Sequence, residues 1–350
     1  MSAPWILRSL CLFLFIFSFT NAQATSILEF NGVLEAHFAR ENQISKEQWE
    51  DALPTEYERT EAVGLVNYLM SLLTFSNVTH SSVLSLFPRL RNFVNITFFE
   101  DKYAVVHEIL RDDADNRSLQ PFSRYWGYVV ITGRKYATKP YLHHSSPHFE
   151  SDGDVGNQSA AIFEATASRS LVVAGASRYA VRDNNATNPC AKNYAVADAA
   201  HNNLTMFHTF NTAIFKVSKV IEATTVLPDD IFLQWHGMSE RSCIASPVLI
   251  SIGAKGTDEV YNDPNLTANK LKLAYGNGAH NPMEDPSCNL AATTNIFGRL
   301  INGVPEDEVC LHSAAEDDIK GQFLHLEQKR QARDDHLSWI KATQKAFRES

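Results

Sequence analysis

Ile231-Phe232-Leu233-Gln234-Trp235-His236-Gly237 is the stretch that decides the fold. Ile231 to Trp235 is a largely apolar run of strand length, and it delivers a histidine and then a glycine at its carboxyl end. An earlier segment repeats the arrangement. Pro147-His148-Phe149-Glu150-Ser151-Asp152 follows an apolar approach through Tyr141-Leu142 and offers carboxylates two and four residues after His148. In an open α/β sheet, ligands bind beyond the carboxyl ends of strands. Two histidines and a carboxylate are also the ligands of a catalytic zinc, whose fourth position is left to water. Metal-assisted hydrolysis is therefore the first chemistry to test.

Working outward from Ile231, strands and helices alternate. Trp126 to Thr132, Ser170 to Gly175, Val248 to Ile252 and Phe323 to Glu327 read as strands. Gln158 to Ala167 and most of Ala197 to Ile221 read as helices, and a polar helix closes the chain. This alternation predicts an α/β sandwich with a mixed, largely parallel sheet over residues 121–350. Residues 23–120 look like an N-terminal elaboration of helices and a hairpin. Ser45-Lys46-Glu47-Gln48-Trp49 and Thr60-Glu61-Ala62-Val63 read as helix starts, and Val63 to Leu73 has apolar residues at helical spacing. Ile96-Thr97-Phe98-Phe99 and Tyr103-Ala104-Val105-Val106 read as the two arms of the hairpin.

Composition narrows the class. The chain of 350 residues is 44% hydrophobic and 20% charged with a net charge of −9, which suits a globular fold and gives no basic footprint for nucleic acid. Residues 1–22 read as a secretory signal, with Arg8, an apolar stretch from Leu10 to Phe19, and the small-residue site Thr20-Asn21-Ala22. That stretch falls short of the roughly 20 residues that a membrane span needs. The expected location is thus secreted and extracellular, without stable membrane insertion. Sequons at Asn77, Asn95, Asn116, Asn157, Asn185, Asn203 and Asn265 become potential glycan sites. Cys11 leaves with the signal, so Cys190, Cys243, Cys288 and Cys310 should form two disulfides. The shortest loop favours Cys288–Cys310, which leaves Cys190–Cys243.

Candidate site residues follow from position and type. His148 and His236 are the expected metal ligands, with Asp152 as the carboxylate and Glu150 and Asp154 as competitors. The adjacent His143 and His144 would make His148 part of a histidine-rich surface loop if it binds nothing. Glu327, at a strand end, suits the base that takes a proton from a metal-activated water. Asp198 and His201, three apart at a helix start, suit partners that orient a ligand. Arg178, Asn295 and Arg299 offer the guanidinium and amide groups that bind a substrate carboxylate. No Gly-x-Ser-x-Gly elbow, His-Glu-x-x-His helix or phosphate-binding glycine loop is present in the sequence.

At these residues the chain resembles the zinc hydrolase superfamily of N-formylglutamate amidohydrolases, poly-γ-glutamate hydrolases and, more distantly, zinc carboxypeptidases. The resemblance covers roughly residues 125–335 and rests on Pro147-His148, His236-Gly237 and the late Glu327 strand. It implies a three-layer α/β/α sandwich, Zn2+ held by His148, Asp152 and His236, and Glu327 as base. The carboxylate ligand is usually glutamate in that superfamily, so Asp152 departs from its pattern. Amide-bond hydrolysis of a small-molecule or peptide substrate near a carboxylate is the implied activity. Two alternatives stay open: a non-catalytic secreted glycoprotein on a degenerate hydrolase fold, and a metal-dependent phosphoesterase.

Overall fold

The computed structural model describes residues 24–110, 121–183, 187–222 and 229–348. The signal call and the sequons at Asn116 and Asn185 lie outside the described residues.

Among the described residues, nine strands form one mixed sheet. In chain order they are β1 (Val94–Phe99), β2 (Tyr103–Glu108), β3 (Tyr128–Thr132), β4 (Lys139–Ser146), β5 (Ser168–Val173), β6 (Ile231–Gly237), β7 (Val248–Ser251), β8 (Ala279–His280) and β9 (Phe323–Gln328). Across the sheet the order is β1-β2-β3-β5-β4-β6-β9-β7-β8. The centre, β5-β4-β6-β9, is parallel. The expected hairpin β1-β2 continues the same sheet antiparallel through β3, and β7 pairs antiparallel with β9.

Ten α-helices accompany the sheet among the described residues: α1 (Ile27–Glu35), α2 (Lys46–Ala52), α3 (Glu56–Ser71), α4 (His80–Leu84), α5 (Val155–Thr166), α6 (Met206–Glu222), α7 (Thr267–Tyr275), α8 (Ile296–Ile301), α9 (Arg330–Asp334) and α10 (His336–Ala346). Helix starts obey capping chemistry more closely than sequence spacing showed. Ser45 caps α2 with a reciprocal Gln48 contact, and Thr55 with Glu58 does the same for α3. The start of α3 therefore lies at Glu56, ahead of the expected Thr60. The helix expected from Ala197 begins only at Met206, because 197–205 is taken up by turns in which the side chains of Asp198, Asn202 and Thr205 bond nearby backbone.

Strand periodicity sorts the core into two faces. On β6, Ile231, Leu233 and Trp235 pack with Leu324 and Leu326 of β9 against the side that carries α7 and α10. Phe232 and Phe323 point the other way, into the core shared with α3, α6 and α8. By the same period of two, Gln234 and His236 follow Phe232, and His325 and Glu327 follow Phe323. Phe297 of α8 stands edge-on to both phenylalanines at centroid distances of 5.5 and 6.3 Å. Such pairs add about 0.5–1.5 kcal/mol each beyond burial. This aromatic layer lies one strand-turn below the polar ends of β6 and β9.

His143 and His144 are buried strand residues of β4, and so do not belong to a surface loop. His143 stacks on Phe232, and His144 stacks on Trp235 and accepts its indole N–H.

The four cysteines form two disulfides, but the pairing differs from the expected one. Cys190 joins Cys310 and Cys243 joins Cys288, with Cα separations of 4.4 and 4.7 Å. Loop length ranks partners only for a chain whose ends move freely. Here Cys310 follows α8 onto the core that also receives Cys190. Cys288 stays with the Asp285 turn, which is anchored by the Ser246 hydroxyl next to Cys243. Peptide mapping without reduction is expected to recover the Cys190–Cys310 and Cys243–Cys288 links, and free thiols at these positions would contradict the fold. Phe297→Ala is expected to lower the unfolding free energy by roughly 3–5 kcal/mol in a urea titration.

Candidate metal centre

The parallel centre of the sheet delivers its side chains to one place. His148 leaves the loop after β4, and His236 sits at the end of β6, opposite Glu327 in the register of β9. The β4 loop folds back onto β6. A Cβ on Gly237 would stand 2.1 Å from the Asp152 carbonyl oxygen, so a glycine is needed for this approach. As a result Asp152 Oδ2 lies 3.0 Å from His148 Nδ1, 3.2 Å from His236 Nδ1 and 3.2 Å from the Gly237 N–H, which donates to it. One potential ligand atom from each of His148, Asp152 and His236 lies within 4.8 Å of the others, and all three residues are buried. His236, His325 and Glu327 form a second such group.

The outer nitrogens set the donor character of the inner ones. His148 Nε2 donates to Asp198 Oδ1 at 2.9 Å. Asp198 Oδ1 also accepts from the Ala200 N–H and from His201 Nδ1, at 3.1 and 3.0 Å. His236 Nε2 lies 2.9 Å from Gln234 Oε1. With the protons on the outer nitrogens, the Nδ1 lone pairs of both histidines converge on a carboxylate oxygen. Three acceptors facing one another repel unless a cation sits among them. The donor set of two imidazoles and a carboxylate, each histidine held from behind, fits zinc.

Arg178 supplies positive charge at this point in the structure. Its Nη2 lies against His148 Nδ1 and donates to Asp152 Oδ1 at 2.7 Å, while Nη1 lies 3.7 Å from Asp198 Oδ2. Burial would push the carboxyls of Asp152 and Asp198 up, but their partners outweigh it and hold both well below the usual range. His148 and Arg178 act on Asp152, and His148 and the hydrogen bond from His201 on Asp198. Burial and Arg178 oppose a proton on His148, yet Asp198 and Asp152 raise its pKa. Burial drives His236 down to about 4. Glu327 moves the other way: burial, and then the charge of Asp152, push its carboxyl up to about 8.

The remaining expected residues divide. Glu150 faces away, paired with Arg40 at 3.2 Å, and Asp154 is hydrogen-bonded to Asn157. Asp198 and His201 sit behind His148, on a turn rather than on a helix start. Arg299 is engaged by its own surroundings. Its three nitrogens donate to the carbonyls of Thr293 and Val309 and to the Ser313 hydroxyl. Asn295 likewise faces inward, capping α8 and donating to Gln234. The Asn157 amide is tied to Asp154 and Asn31.

Sequence reasoning passed over Gln234 and His325. Both lie two residues before a singled-out residue on the same strand, and the period of two could have found them. It also passed over Arg333, whose guanidinium packs beneath Gly237 and Gly153 and donates to the Gln328 carbonyl at 2.9 Å.

No protein-family model matches the chain. No curated protein matches it either. Among solved structures, a metallo-carboxypeptidase from Burkholderia cenocepacia is similar at 11% identity and a TM-score of 0.33, over 77% of this chain and 68% of that one. A putative carboxypeptidase A from Shewanella denitrificans is similar at 13% identity and a TM-score of 0.29, over 76% and 66%. The LapA aminopeptidase of Legionella pneumophila is similar at 10% identity and a TM-score of 0.30, over 99% and 78%. At these scores the neighbours assign neither reaction nor ligands, and the chain's own side chains have to carry the chemistry.

The raised Glu327 has a consequence for stability. The folded chain keeps the Glu327 proton up to about pH 8, whereas an unfolded chain releases it near the ordinary value of 4.5. Between those values the folded state binds more protons, so this group lowers stability as pH rises. Glu327→Gln removes the effect. In metal-free urea unfolding, the variant is expected to gain on the parent from pH 4.5 to 8. The slope is at most about 1.4 kcal/mol per pH unit. A difference that does not change with pH would show that Glu327 is ionised in the folded state.

Proposed function

We propose that the protein is a secreted, zinc-dependent hydrolase that cleaves an amide bond near a carboxylate, as amidohydrolases and carboxypeptidases do. The observation that carries this is the meeting of His148 Nδ1, Asp152 Oδ2 and His236 Nδ1 beside the buried carboxylate of Glu327. His148, Asp152 and His236 would hold the ion. Bound there, zinc would polarise the scissile carbonyl and lower the pKa of a water toward about 7.

Glu327 is the group left to move the proton. Its carboxylate takes one from the attacking water and returns it to the leaving amine. It has to be ionised to do so, and the charge of Asp152 is one of the two main causes that keep it neutral. A cation added beside Asp152 would offset that second cause and favour the ionised form of Glu327, while burial continues to oppose it. Arg178, at the opening toward a cavity of about 650 Å³ shared with Tyr179, Lys192 and Tyr194, is placed to receive a substrate carboxylate once it releases Asp152. Secretion is supported by the N-terminal pattern, the sequons and the two disulfides. No helix among the described residues is long and apolar enough to cross a membrane.

One observation favours a second reading, a non-catalytic glycoprotein. The Arg178 guanidinium already neutralises Asp152 and contacts His148. Metal analysis of the purified protein separates the possibilities. One tightly held zinc per chain supports the hydrolase, none supports the non-catalytic protein, and two point to a phosphoesterase that also uses His325 and Glu327. For the hydrolase, Glu327→Gln is expected to keep its zinc and lose roughly 10²–10⁴-fold of its activity on a model amide. Asp152→Asn is expected to lose zinc occupancy. Zinc loss in Glu327→Gln would make Glu327 a ligand rather than a base.

A further inference from the structure

Asn295 carries an expected substrate contact, and the structure turns its side chain and that of the preceding Thr294 toward the backs of the candidate ligands. Asn295 is the N-cap of α8 and its Oδ1 accepts the Gly298 N–H at 2.9 Å. A backbone N–H can only donate, so the cap fixes which way the Asn295 amide points. Its Nδ2 must then face Gln234, and it donates to Gln234 Oε1. That same oxygen lies 2.9 Å from His236 Nε2. An oxygen fixed as acceptor by Asn295 requires the proton of His236 to sit on Nε2, which leaves Nδ1 bare toward Asp152. Gln234 and Asn295 are fully or almost fully buried, so water does not compete for these bonds.

Thr294 starts a parallel path to the other histidine. Its hydroxyl lies 3.2 Å from His201 Nε2 and 3.0 Å from the Tyr194 hydroxyl. His201 Nδ1 faces the Asp198 carboxylate at 3.0 Å and can only donate to it. His201 Nε2 must therefore accept from Thr294, and Thr294 from Tyr194. Asp198, oriented by His201 and the Ala200 N–H, takes the proton-bearing Nε2 of His148. The Ile296 N–H donates to the Ala200 carbonyl at 3.1 Å and ties the two paths into one rigid piece.

We propose that Thr294 and Asn295, consecutive residues at the start of α8, are positioning residues: Asn295 fixes, through Gln234, which ring nitrogen of His236 faces the candidate ion, and Thr294, through His201, orients the Asp198 carboxylate that holds the His148 ring. The inference rests on the reading of His148, Asp152 and His236 as the ion's ligands for its consequence, but the orientation itself is a property of the metal-free chain.

Two measurements on the full chain test it. The first is the imidazole ¹⁵N shifts of selectively labelled, metal-free protein, which report the tautomer of His236. The second is zinc affinity by competition with a chromophoric chelator. Asn295→Ser keeps a capping oxygen but is too short to reach Gln234. Asn295→Asp keeps the cap and places an acceptor where the donor was. Thr294→Val keeps the shape and removes the hydroxyl. The expected result is a His236 signal with Nε2–H in the parent and a mixture of tautomers in the Asn295 variants. Zinc binding is expected to weaken roughly 10–100-fold in all three, as for other groups behind metal ligands. The tautomer readout separates positioning from a general loss of packing, which would lower affinity without moving the proton between the two His236 nitrogens. If the Asn295 variants keep the parental tautomer, or if both they and Thr294→Val keep the parental affinity, the proposal is overturned. If the parent binds no zinc but the Asn295 variants still shift the tautomer, the positioning stands and the hydrolase reading fails.

Discussion

Asp152 is the group on which the centre depends. A buried carboxylate is costly unless every lone pair is met. Here the Arg178 guanidinium and the Gly237 N–H donate to it, and the Nδ1 atoms of two imidazoles face the same oxygen. The need to satisfy one charge explains otherwise separate features. It explains why the loop after β4 is drawn onto the end of β6, why glycine stands at 237, and why Arg178 turns inward. It also explains part of the behaviour of Glu327, since two buried carboxylates in one place cannot both ionise cheaply. Removing one partner of such a set is expected to cost more than any single contact is worth, because the remaining charges stay buried.

The sheet makes this arrangement possible by simple geometry. Parallel strands β4, β6 and β9 all end on one edge. Their period of two places aromatic residues first and polar residues next on the same face. Phe232, Phe297 and Phe323 form a dry layer, and Gln234, His236, His325 and Glu327 stand directly beyond it. The low dielectric of that layer accounts for the directions of the shifts above it: imidazoles driven toward the neutral form, and Glu327 toward its acid. Rigid support of this kind also suits ligands that must not drift from their positions.

Much of this was legible in the sequence because it depended on local pattern. The apolar runs at Ile231 to Trp235 and Phe323 to Glu327 announced strands, and the strand-end positions of His236 and Glu327 announced a shared edge. What remained hidden was settled by contacts between distant segments. Loop entropy could not pair the cysteines, since the path of α8 carries Cys310 to Cys190. Helical spacing could not show that 197–205 is a turn, since the Asp198, Asn202 and Thr205 side chains compete there for backbone groups. The acidic run after His148 could not rank its members either. Arg40, contributed by the N-terminal segment, engages Glu150, and Asp152 is left to face inward.

Residue type alone leaves open which of two uses a polar side chain has. Arg299 and Asn295 have the groups that would bind a carboxylate, and both spend them inside the protein. The difference from Arg178 lies in what surrounds each one. Arg299 lies among backbone carbonyls at a helix end, which want donors and carry no net charge. Arg178 lies between two carboxylates next to a cavity, where its charge is needed and can be exchanged for another cation's. A guanidinium that is held by charge can be released by charge. One that is held by three neutral acceptors is part of the scaffold. On that physical distinction Arg178, and not Arg299, is the arginine whose position could change when a cation or a substrate carboxylate arrives.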